Sequence, residues 1–98
     1  MISDFNKDSK NPSQNQIEFI LKLFKSKKFE EVKKEISVQI VKNPNSYILF
    51  NILGGVLSEQ KKFFEAIENY KKALKFNPNY AQAFNNLGLA FHKLNRMD

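Results

Sequence analysis

The sequence predicts an all-α chain of five helices, folded as antiparallel helical hairpins stacked side by side. Three observations carry this. The string Asn43-Pro44-Asn45 returns as Asn77-Pro78-Asn79, and the same offset of 34 residues links Phe29 with Phe63, Glu31 with Glu65, Asn51 with Asn85, Leu53 with Leu87 and Gly54 with Gly88. Within each unit the apolar residues recur at helical spacing. Proline and asparagine then punctuate the chain where one helix must stop and the next begin.

The elements follow in order. Ile17, Ile20, Leu21 and Phe24 fall at i, i+3, i+4 and i+7, so residues 13–26 form the first helix. Ser13 and Gln16 have the spacing of a capping box at its start. Val32, Ile36 and Ile40 set the face of a second helix over 29–42. Pro44 cannot extend that helix, because it lacks an N–H donor and its ring clashes with the preceding turn. Asn45 or Ser46 then caps a third helix over 47–60. Ala66, Tyr70, Ala73 and Leu74 mark the fourth, over 63–76, which Pro78 ends. Asn79 is the expected cap of the fifth, over 81–94, whose face is Phe84, Leu87, Gly88 and Phe91. The hairpin turns fall at 26–28 and 60–62.

Composition narrows the class of function. The chain has 98 residues, 42% of them apolar, and no cysteine. Disulfides and thiolate metal sites are thereby excluded, and a reducing compartment is favoured. Residues 1–12 are polar, lack the apolar core of a signal peptide and read as a disordered tail. The most apolar stretch, 47–57, is too short to span a bilayer. A cytoplasmic protein is expected. The net charge of +6 rests on sixteen basic residues, of which only Arg96 is arginine. Arginine makes the bidentate contacts to phosphates and bases, so its scarcity argues against nucleic acid as the partner.

Residues 47–78 resemble a tetratricopeptide (TPR) repeat. Phe50, Leu53, Gly54, Leu57, Ala66, Tyr70, Ala73 and Pro78 stand in the signature positions, and 34 is that family's period. Phe84, Leu87, Gly88 and Phe91 open a further repeat. Residues 13–46 depart from the pattern: Gln16, Ile20, Val32 and Gln39 replace the aromatic, the glycine and the two alanines. The resemblance therefore implies a right-handed α-solenoid with a divergent first repeat over 13–46, a full repeat over 47–80 and the first helix of an incomplete one over 81–98. It also implies small-against-large packing between Gly54 and Ala66 on one side and bulky neighbours on the other. The first repeat, with Ile20 and Val32, should have the wider helix spacing.

No catalytic constellation is present. His92 is the only histidine and has no second histidine or cysteine to share a metal. Glu30, Glu31, Glu35, Glu65 and Glu68 lie among lysines at i,i+4 spacing and read as a solvated face. Gly54-Gly55 lacks the spacing and the following Lys-Ser/Thr of a phosphate loop. Lys71, Lys72 and Lys75 fall on the convex side by the resemblance. Neither an enzyme nor a cofactor is expected.

The resemblance assigns the concave groove to Ile17, Leu21 and Phe24 in the first repeat, to Ile48, Asn51, Ile52 and Gly55 in the second, and to Asn85, Asn86, Leu89 and His92 in the last helix. It implies a module that binds a peptide or a partner-protein segment there. For Ile17 and Leu21 the first helix's apolar girth leaves groove and core equally open. Some members of the family clamp the acidic tail of a chaperone with cations and asparagines. The matching positions here, Ile17, Leu21, Ile52, Gln82 and Asn86, carry no cation, so that function is not expected. Asn86 resembles the asparagines lining O-linked N-acetylglucosamine transferases. An alternative reading is accordingly the N-terminal portion of a larger transferase, for sugar or sulfate, with the repeats presenting substrate. Finally, Phe84, Leu87, Phe91 and Leu94 form a stripe at i, i+3, i+7 and i+10. A repeat's second helix would cover it, so the stripe is a candidate surface for homodimerisation.

Overall fold

The computed structural model describes residues 10–96. These form five α-helices and no strand: α1 (Gln14–Lys25), α2 (Phe29–Lys42), α3 (Tyr47–Glu59), α4 (Phe63–Phe76) and α5 (Ala81–Asn95). Each bound lies within one residue of the predicted one. The helices stack in chain order into an α-solenoid of 53 × 28 × 19 Å.

Local chemistry sets the ends. At α1 the Ser13 hydroxyl accepts from the Gln16 N–H, and the Gln16 side chain accepts from the Ser13 N–H, as the capping box requires. At α3 the cap is Ser46, whose hydroxyl accepts from the Leu49 N–H at 3.1 Å. Asn79 does not cap α5: the N-cap position falls on Tyr80, and Asn79 instead donates its own N–H to the Asn77 side chain.

The hairpin turns hold a feature with no glycine signal in the sequence. Lys27 and Lys61 adopt left-handed φ values of 60° and 62°. Around the first, Lys28 N–H bonds Leu23 C=O and Lys27 N–H bonds Phe24 C=O; Lys62 with Leu57 and Lys61 with Ser58 repeat this in the second. This is the Schellman closure, which satisfies the last carbonyls of a helix. Glycine is the usual occupant, and lysine pays a steric penalty there of about 1–2 kcal/mol.

Residues 1–9, most of the expected tail, lie outside the described residues. Asn11 and Pro12 were predicted to belong to that tail but are docked. Pro12 is buried, and the Asn11 side-chain oxygen accepts from both the Ser46 hydroxyl and the Ile48 N–H. The donors sit at the start of α3, where free N–H groups seek an acceptor.

The core has two joined parts. Ile20, Val32, Ile36, Leu49, Ile52 and Val56 unite α1, α2 and α3; Leu57, Ala66, Ile67, Tyr70 and Ala90 unite α3, α4 and α5; Leu53 packs against both. α1 and α2 approach each other less closely than α3 and α4 do, as their bulkier residues predict. The two complete hairpins fill the same space in different ways. In the second, Gly54 lies under the ring of Tyr70. In the first, the equivalent pair is Ile20 and Ile36, which are 0% and 2% exposed. Bulk has moved from the second helix of the hairpin to the first, and the two isoleucines fit because the helices of this hairpin stand farther apart.

Candidate partner-binding groove

The concave side is formed by α1, α3 and α5. Phe24, Gly55, Ser58, Glu59, Tyr70, Asn86, Leu89, Ala90 and Lys93 line an open cleft of about 300 Å³ there. Gly55 keeps it open towards α1: a Cβ at that position would sit 3.3 Å from the Phe24 ring. Phe24 is held edge-on against Phe29, with ring centroids 5.6 Å apart. Tyr70 closes the floor, sharing a hydrogen bond with Ser58 across 3.2 Å. Burial pushes the Tyr70 phenol above its usual range, and the Ser58 bond partly opposes this. Leu89, with 54% of its surface exposed, is the apolar residue the cleft offers to a partner.

The predicted groove residues divide. Phe24, Gly55, Asn86 and Leu89 line the cleft. Asn51 and Ile52 do not: they are 8% and 7% exposed. Ile52 belongs to the first core cluster. Asn51 accepts a hydrogen bond from the Asn86 side chain at 3.1 Å, so this pair ties α3 to α5. Ile48 is half-buried against the first core cluster. Asn85 is exposed on α5 outside the cleft, and His92 lines a neighbouring depression with Lys61, Phe63, Lys93 and Arg96. Leu21 is part-exposed on a separate surface with Phe19, and Ile17 is half-buried.

Ser58, Glu59, Ala90 and Lys93 were missed. Each lies three or four residues beyond a residue that was found, Gly55, Asn86 or Leu89, and so on the same helical face. Helical spacing alone would have reached them. Tyr70 could not be found that way, because it enters the cleft from α4.

The proposed dimer stripe is also split. Phe84 and Phe91 are 60% and 41% exposed, but Leu87 and Leu94 pack against the second core cluster. At about 100° per residue the two leucines are rotated by roughly 40–80° from the phenylalanines, towards α4. Beside the phenylalanines lies Gly88, where an added Cβ would meet nothing within 4 Å.

Among the described residues no group of three or more His, Cys, Asp or Glu side chains could hold a metal ion, and no helix is long and apolar enough to cross a membrane.

Fold and cleft together define a helical-repeat protein with a one-sided groove. Residues 54–95 match the family model described as TPR repeat. Over 89 residues, 91% of its length, the chain is 27% identical to the Hsp70-Hsp90 organising protein of Plasmodium falciparum and to a protein of the same name from P. falciparum isolate 3D7. It spans only 35% and 16% of these relatives. Among solved structures, the second TPR of Spaghetti (RPAP3) bound to HSP90 peptide SRMEEVD superposes with a TM-score of 0.77 at 18% identity, covering 99% of this chain and 87% of that one. The chain shares the fold of that TPR structure, and its residues 54–95 carry the match to the TPR-repeat model.

Proposed function

We propose that the chain is a protein–protein interaction module that holds a peptide or partner segment in the cleft between α1, α3 and α5. The observation that carries this is the cleft itself, with an apolar floor, an exposed Leu89 and polar groups at its rim. Leu89 shares a concave cleft with Phe24 and Ala90, so one docked side chain would cover all three together. The named relatives and the peptide held by the structural neighbour support the same reading. The relatives and the structural neighbour named above lend the transferase alternative no support. The proposal is one of binding without catalysis, in the cytoplasm, a compartment supported by the cysteine-free composition.

Peptides selected from a random display library on the intact chain test this. Covering a leucine contributes ~1.5–3 kcal/mol, so Leu89→Asp should weaken the selected peptides by about 10- to 100-fold at unchanged melting temperature. Equal binding by the variant places the site elsewhere.

We infer a second surface at Phe84, Gly88 and Phe91. It faces outward from the stack, and a second copy of α5 packing across it makes a two-fold dimer. The stripe's two leucines are already committed to the core, so the interface centres on the two phenylalanines. Sedimentation should show a concentration-dependent dimer at tens of micromolar, lost in Phe91→Glu. A monomeric parent, or a variant that still dimerises, refutes it.

A further inference from the structure

The geometry points to an anion-binding pocket at the end of the groove, built from Lys61, His92, Lys93 and Arg96 around the ring of Phe63, that receives an acidic side chain of the bound segment. This rests on the groove reading and specifies the partner's chemistry.

The depression has a volume of about 560 Å³; among the described residues no acidic side chain lines it, and Glu59 lines the adjoining cleft. Its basic groups come from two places: Lys61 from the left-handed turn between α3 and α4, the others from the end of α5. The ion pairs among the described residues are Lys33–Glu30 and Lys71–Glu68, and neither includes one of these groups. The simplest structural account is that cations at a helix C-terminus complement its dipole. That accounts for His92 and Lys93 but not for Lys61, which belongs to a different element. The Phe63 ring lies below Lys93, 5.9 Å from its ammonium nitrogen, and is itself buried. An apolar floor under a cationic rim suits a carboxylate carried on a short methylene stem.

Lys93 lines both this pocket and the cleft that contains Leu89, so the two are continuous. From Leu89 to Arg96 the helical rise amounts to roughly 10 Å. An extended peptide covers that distance in about three residues. The preferred segment therefore carries an aliphatic residue, then an acidic one about three positions away.

The test is an amide-shift titration of the full chain by NMR with the peptide acetyl-leucyl-alanyl-alanyl-glutamyl-glutamyl-amide. The amides of Leu89, Lys93 and Arg96 should move together. The Lys93→Gln/Arg96→Gln variant should bind about fivefold more weakly or worse, and rising salt should weaken the wild type similarly. A peptide with glutamine in place of glutamate should move Leu89 without Arg96. If the acidic peptide also moves Leu89 alone, the groove reading stands and the anion pocket falls. If it moves neither, both fall. Inorganic phosphate at matched charge should bind more weakly than the peptide; equal shifts would mean a free-anion site and overturn the bipartite segment. An oligouridylate that displaces the peptide and binds more tightly would overturn the choice of a protein partner.

Discussion

Ile20→Ala is expected to destabilise the chain by roughly 2–5 kcal/mol, as removing a fully buried isoleucine usually does. Ile20 has no exposed surface and packs in the cluster with Val32, Ile36, Leu49, Ile52 and Val56. It occupies the position that holds glycine in both later repeats. A reader guided by the repeat pattern would treat alanine there as a restoration. The structure predicts the opposite, because Ile36 does not reach as far as the Tyr70 ring that fills the equivalent space in the second repeat. A small repeat stack has a stability margin of the same order as this loss. Urea unfolding followed by circular dichroism should show a markedly lower midpoint. A midpoint unchanged within error would mean that the first hairpin collapses freely around the gap.

Gly54→Ile is expected to lose ~1–3 kcal/mol or more through overpacking. A Cβ at Gly54 would stand 2.5 Å from Tyr70 Cε1, and the ring cannot swing aside without leaving its buried site and its Ser58 partner. The companion variant Gly54→Ile/Tyr70→Ile installs the pair that the first repeat uses. It should be more stable than the sum of its single changes predicts, with a coupling of about 1 kcal/mol or more between these touching positions. Gly88→Ala is the control. Nothing within the chain lies within 4 Å of its added methyl, so at concentrations below dimerisation it should gain up to ~1 kcal/mol from helix propensity. Additive effects at 54 and 70, or a loss at 88, would show that glycine serves backbone geometry here rather than packing.

The 34-residue repetition, the helical apolar spacing and the prolines were enough to determine the five helices and their order. Each of these is a local property, and local properties are written in consecutive residues. The groove was legible only in part, for a physical reason. A helix shows its neighbours a continuous range of directions, and periodicity tells which residues share a face but not how far the next helix rolls over it. Tertiary packing decided that Asn51 bonds Asn86 between α3 and α5, that Ile52 joins the core, and that Leu87 and Leu94 leave the outer stripe to Phe84 and Phe91. It also decided that Asn11 holds the start of α3, and that Lys61 from one turn meets Lys93 and Arg96 from another helix. Those last meetings join residues some thirty positions apart. No spacing rule encodes them, because they depend on the angle at which each hairpin lies on the one before.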